Sequence, residues 1–201
     1  MNFIIMALAM MMVFVSCDHK KKQETTPVQT ITSLDVDKAI TLDKEWMFKN
    51  YGQNYKFFES QVLFNKLLTE EDPQVVEVTN IFQYNLEGSS DVFVVMFTHN
   101  VDGYENIQII ESFWIEDFPL NDEEYEYDFK ACYNKLMEAN IVKPHSRHAT
   151  LRKQVGPVAA PAQWIFGNIK ETVFVDTVTG EVSGINPFFL PTLEMPLGEW
   201  P

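Results

Sequence analysis

The chain has 201 residues, 46% hydrophobic and 13% aromatic, with 15 Lys and Arg against 29 Asp and Glu. That apolar content supplies a packed core and excludes a disordered chain, and the length fits one domain or two small ones. A net charge of −14 is repelled by phosphates and anionic headgroups, which argues against nucleic acid as a partner.

Phe3 to Val15 is an unbroken apolar run of thirteen residues, followed by Ser16-Cys17 and then Asp18-His19-Lys20-Lys21-Lys22. It is too short to span a hydrocarbon core, which needs ~20 residues, and it has the length of a signal-peptide h-region. Val15-Ser16-Cys17 resembles the end of the lipobox of bacterial lipoprotein signals, with Phe14 where Leu is commoner and an n-region of only Met1-Asn2. The resemblance implies cleavage before Cys17 and a diacylglycerol on its sulfur. Two or three acyl chains would anchor the mature chain stably in a bacterial envelope membrane, expected to be the outer one, facing the periplasm or the surface. Asp18 to Leu34 has no hydrophobic periodicity and reads as a flexible tether of ~17 residues, reaching roughly 20–25 Å. From Asp35 onward the chain has 12 basic and 27 acidic residues, a net −15.

The body opens with a helical turn at Asp35 to Ile40. Tyr51, Tyr55, Phe58, Val62 and Leu63, with Leu67 beyond, recur at helical spacing and predict a longer helix, ended by Glu70-Glu71-Asp72-Pro73. Strands are predicted over Val75 to Tyr84, Val92 to Thr98 and Ile107 to Ile115. Turns at Leu86 to Ser90 and Asn100-Val101-Asp102-Gly103 separate them. Asn121 with Glu124 then suggests a capping box. Tyr125, Phe129, Cys132, Tyr133 and Leu136 make an apolar helical stripe reaching about Asn140, and Pro144 closes it. Short strands follow over His148 to Val155, Ala162 to Phe166, Glu171 to Asp176 and Glu181 to Ile185, and the overall order reads as helix-β-β-β twice.

Val173-Phe174-Val175-Asp176-Thr177-Val178-Thr179-Gly180-Glu181-Val182 resembles the closing hairpin of PepSY-type domains. The explicit likeness covers ten residues, and the rest of the second half matches only in element order. It implies a helix laid across a small antiparallel sheet in each half, an arrangement similar to the β-lactamase-inhibitor-protein family and to related envelope lipoproteins of Bacteroidetes-like bacteria. Those are binding or inhibitory modules. The expected fold is therefore α+β, two helix-plus-antiparallel-sheet halves in tandem behind a lipoprotein signal peptide. The divisions are 1–16 signal, 17–34 lipidated Cys17 and linker, 35–118 first half, 119–186 second half and 187–201 an apolar tail rich in proline.

In that tail Pro187, Pro191, Pro196 and Pro201 alternate with Phe188, Phe189, Leu190, Leu193, Met195, Leu197 and Trp200. Four prolines forbid helix and interior strand. The tail either packs on the protein's own sheet or docks on a partner, and Phe188, Phe189, Leu193 and Trp200 are the expected contacts in the second case.

No residue is assigned to catalysis, metal or cofactor. His145 and His148 lack acidic or thiol ligands at metal spacing, and the run Glu111, Glu116, Asp117, Asp122, Glu123, Glu124, Glu126 and Asp128 has no calcium-loop pattern. The basic residues around Arg147 are expected to pair with the acidic helix just before them. Nucleophile elbows and phosphate loops are absent. Cys132 has no intramolecular partner once Cys17 is lipidated and is expected in the core, as are Trp114 and Trp164. The expected function is a non-enzymatic envelope lipoprotein that binds an unknown protein or peptide. Glycan binding through exposed aromatics is the alternative, and a hydrolase whose residues assemble only in the fold is a third.

Overall fold

A computed structural model describes residues 33–86, 88–103, 105–115, 117–121, 126–154, 161–168 and 170–185. The first element is a helix, α1 (Val36–Tyr51), started by Asp35, whose carboxylate accepts the Lys38 amide at 3.0 Å. Val36, Ala39, Ile40, Asp43 and Met47 form its buried stripe. Gly52 ends it in the left-handed region (φ +63°), and its amide donates to the Phe48 carbonyl at 2.9 Å.

The helix predicted from Tyr51 onward is instead a strand, β1 (Tyr55–Phe64). A register shift between Phe57 and Glu59 marks a bulge, and it buries four residues in a row, Phe57 to Ser60. The bulge moves later residues one step along the pleat. Tyr55, Phe58 and Val62 therefore mimic helical spacing, although the backbone has period two.

β2 (Val75–Asn85), β3 (Val92–Asn100) and β4 (Glu105–Glu111) continue as an antiparallel meander, and β4 stops four residues short of the predicted Ile115. A two-residue strand, β5 (Asp117–Phe118), leads to α2 (Phe129–Glu138). This helix starts at Asp128, not Asn121. Asp128 accepts the Ala131 amide at 2.7 Å, while Asp37 of α1 accepts the Phe129 and Lys130 amides at 2.9 and 3.4 Å. Two carboxylates thus satisfy donors that a helix start leaves open. α2 also ends before Pro144 takes effect, at Glu138, where Lys143 donates to the Ala139 carbonyl at 2.7 Å.

β6 (His148–Gln154), β7 (Gln163–Gly167), β8 (Thr172–Asp176) and β9 (Val182–Ile185) form a second meander. Asp176 holds its last turn by accepting the Val178 and Thr179 amides at 2.8 and 2.9 Å. The meander after α1 has four strands where three were predicted, since β1 is a strand, with the short β5 behind it, and the four segments read after the second helix, Glu181 to Ile185 included, are β6 to β9. The fold is α+β around one nine-stranded antiparallel sheet in the order β4-β3-β2-β1-β6-β7-β8-β9, with β5 beside β6.

Both helices lie on one face. Phe57, Val62, Phe64, Val78, Phe82, Val95, Leu151, Trp164, Phe166 and Val175 point toward them and, with Phe129, Cys132 and Leu136, make one continuous core. Gly167, in the β7–β8 turn, sits at φ +124°, and a Cβ there would run into the Glu171 carbonyl oxygen. Gly167→Ala is expected to destabilise the protein by about 2–3 kcal/mol in denaturant unfolding. An unchanged midpoint would show that the turn relaxes freely.

Candidate functional site

Register places two polar networks in the middle of the sheet, one on each face. On the helix face, Asp43 is buried in the apolar stripe of α1. It accepts Asn80 Nδ2 at 2.7 Å and meets His99 Nε2 at 2.9 Å. The bond to Asp43 is the largest cause that raises the His99 pKa, against partial burial, with Glu105 adding to it. An inward acidic side chain is thereby compensated by an amide and a histidine ring.

On the opposite face Glu59 stands across from Ile81 on one side and Arg152 on the other. The chain between β4 and β5 crosses here. The Trp114 amide donates to Gln83 Oε1 at 3.0 Å, and its indole N–H donates to Asp117 Oδ2 at 3.2 Å. Arg152 Nε donates to Asp117 Oδ1 at 2.6 Å, and the Asp117 side chain is fully buried. Glu59 accepts Gln61 Nε2 at 2.7 Å through Oε1, whereas Oε2 has no hydrogen-bond partner. Burial first, and then the neighbouring Asp117 carboxylate, push the Glu59 carboxyl up to about 8. It is therefore mostly neutral at pH 7. A raised carboxyl beside a second one has the form of an acid–base dyad. Both residues are buried, however, and the clefts at the helix N-termini (about 410 Å³) and at the start of β1 (about 360 Å³) are lined by other residues. The pair clamps the crossing segment to the central strands.

Further along that face one row of side chains runs Asn106, Thr98, Thr79, Gln61, Thr150, Ile165, Phe174 and Ser183, one from each strand from β4 to β9. None of these eight is fully buried. Exposed apolar residues occur elsewhere, Phe48 and Val142 among them, but five fall close together in sequence at one end of the sheet. Ile107, Ile109 and Ile110 of β4 are 42–49% exposed, and Phe113 and Ile115 just after it are 64% and 81% exposed. The reason is geometric. α1 packs on β1 and β2 and reaches β3 through the Trp46–Phe97 ring contact at 5.2 Å, so β4 lies beyond its cover.

Cys17, Phe188, Phe189, Leu193 and Trp200 lie outside the described residues. Cys132 is in the core as expected, with its thiol pushed up to about 12, by burial above all. That removes thiolate reactivity. Trp164 is buried in β7, while Trp114 is half-buried in the crossing loop and not in a strand. The basic stretch departs from the predicted pairing. Lys143 and Arg147 donate to main-chain carbonyls, and Arg152 pairs with Asp117. Four carboxylates, Asp35, Asp37, Asp72 and Asp128, line the cleft at the helix N-termini. Among the described residues no three His, Cys, Asp or Glu stand close enough to share a metal.

The buried networks were beyond sequence reading, because Asp43–His99 and Glu59–Arg152 join residues far apart in the chain. One signal was present: Asp43 falls on the helical stripe of Val36, Ile40 and Met47. No family model, curated protein or solved structure matches the chain.

Proposed function

We propose that the chain is a non-enzymatic envelope lipoprotein, anchored through Cys17, that binds a protein or peptide partner at the β4 end of its sheet. The observation that carries this reading is the exposure of Ile107, Ile109 and Ile110 on the two faces of β4, with Phe113 and Ile115 exposed just after it. Exposed apolar clusters of this kind, rimmed here by Glu105, Gln108 and Glu111, mark contact sites in proteins that are otherwise acidic and well solvated.

The body is further read as two equivalent halves, 35–118 and 119–186. Each has a helix followed by a four-stranded meander, and the first strand of each meander, β1 and β6, meets the other antiparallel at the centre of the sheet. A pseudo-twofold axis between β1 and β6 would generate this order. The PepSY-like and inhibitor-like resemblance rests on the Val173 to Val182 hairpin and on this order.

The test is crosslinking capture from envelopes, comparing the intact chain with Phe113→Ser/Ile115→Ser, with Cys17→Ala and with a chain truncated after Asn186. A specific partner should be captured by the intact chain, lost in the double variant with the circular dichroism unchanged, and reduced when Cys17 is absent. Loss only on truncation, with the body still folded, would move the binding element to the tail and overturn this reading.

A further inference from the structure

The geometry points to β4 as an open edge that takes an extended peptide as an added strand, the peptide carrying a Lys or Arg at each end of an apolar centre. This inference rests on the partner-binding reading and names the mode and chemistry of the partner.

Backbone geometry comes first. β4 closes the strand order among the described residues and pairs with β3 in unbroken register from Phe93↔Glu111 to His99↔Glu105. The Ser112 amide donates to the Val92 carbonyl at 3.1 Å. Opposed residues in an antiparallel ladder alternate between bonded and non-bonded pairs. Ile110, Gln108 and Asn106 therefore turn their backbone groups to β3, and Glu105, Ile107, Ile109 and Glu111 turn theirs outward.

Such an edge is usually blunted by Lys, Pro, a bulge or shortness. β4 has seven residues, Glu-Asn-Ile-Gln-Ile-Ile-Glu, with none of the first two and no register break. The other described edge, β9, has four residues. Apolar side chains stand on both faces of β4: Ile107 and Ile109 share the helix side with Phe97 and Val95, and Ile110 lies beside Val94 on the other. An added strand would find main-chain partners along the edge and side-chain contacts above and below.

Charge selects the occupant. Glu105 and Glu111 lie three residues either side of Gln108 and are exposed. In an antiparallel pair of two copies centred on Gln108, each Glu105 would face a Glu111. Like charges directly opposite destabilise a sheet pair, and here they would join two chains of net charge −14. A peptide with cations six residues apart sets opposite charges at both positions and apolar residues against Ile107, Ile109 and Ile110.

The probe is acetyl-Lys-Val-Val-Thr-Val-Thr-Lys-amide, with the same peptide flanked by Glu as control. At low salt the Lys-flanked peptide should bind at least tenfold more tightly, and the margin should shrink as salt rises. Amide exchange at Ile107 and Ile109 should slow at least tenfold on binding. Ile109→Pro removes an outward N–H without touching the β3 ladder, so binding should be lost with the fold retained. Glu105→Lys/Glu111→Lys should reverse the preference, and it decides the matter even if the proline variant unfolds. Equal binding of both peptides, or protection elsewhere, overturns the proposal. So does protection of the free chain that comes with dimer formation or disappears on truncation after Asn186, since a second copy or the chain's own tail would then hold the edge. Envelope capture that survives Ile109→Pro while the peptide fails would contradict strand addition and leave partner binding standing.

Discussion

Arg152→Met is expected to destabilise the protein by about 3–5 kcal/mol, because it strands a buried charge. Asp117 has no solvent-exposed side-chain surface, and Arg152 is its cationic partner at 2.6 Å. Without it, Asp117 is left facing the Trp114 indole N–H and Glu59, a second carboxyl that is itself pushed up to about 8. Adding Asp117→Asn to Arg152→Met should recover most of the loss, since the charge that needed compensation is gone. Urea unfolding of the wild type, the two single variants and the double variant gives the coupling directly. Additive effects would show that the pair contributes independently of one another.

The same cluster sets the pH dependence. The Glu59 carboxyl titrates near 4.5 when unfolded and about 8 when folded. Between those values the unfolded chain has released a proton that the folded chain keeps, so stability falls as pH rises from 4.5 to 8 and is level above it. His99 acts in the same direction. Its folded value is raised by Asp43, so its contribution is complete below about 6.5 and is lost as pH rises through the higher folded value. Stability is expected to drop by roughly 2–4 kcal/mol between pH 5 and pH 8.5. Glu59→Gln should flatten most of that slope and leave the smaller part that belongs to His99. A wild-type profile that rises over this range would contradict both assignments.

The second large effect is expected at Trp164, where truncation to Ala should cost about 3–5 kcal/mol. Trp164 is 1% exposed and lies in register between Leu151 and Val175, with the Phe129 ring of α2 edge-on at 4.8 Å. Phe129 also approaches Tyr133 and Phe166 at 6.0 and 6.3 Å, so removing the indole opens the floor on which α2 sits. Trp164→Phe should restore a good part of the stability. If Trp164→Ala retains wild-type near-ultraviolet circular dichroism and midpoint, α2 is held by something other than this aromatic floor.

Periodic and turn signals made most of the fold legible in the sequence. The strands at Val75, Val92, His148, Thr172 and Val182 were readable from β-branched runs bounded by Gly and Asn turns. The stripe Phe129, Cys132 and Leu136 located α2. Two features misled it. The bulge at Phe57 and Phe58 gave β1 the apolar spacing of a helix, and Asn121 with Glu124 imitated a cap that Asp128 and Asp37 supply. Capping by Asp37 comes from another helix, so no local pattern could reveal it. The open edge was hidden for a related reason. Ile107, Ile109 and Ile110 fall in the predicted returning strand, and their exposure depends on α1 ending its cover at β3. The fold in turn assembled the Glu59–Asp117–Arg152 cluster from three distant segments.

The most direct measurement is a photo-crosslinking scan in intact envelopes. A benzophenone side chain would replace Ile107, Ile109, Ile115, Lys56, Ser183, Phe188 or Trp200, one at a time, in the lipidated chain. The expected result is a discrete adduct with one partner from positions 107, 109 and 115, and none from Lys56 or Ser183. Adducts confined to Phe188 and Trp200, or absent at every position, would contradict binding at the β4 end of the sheet.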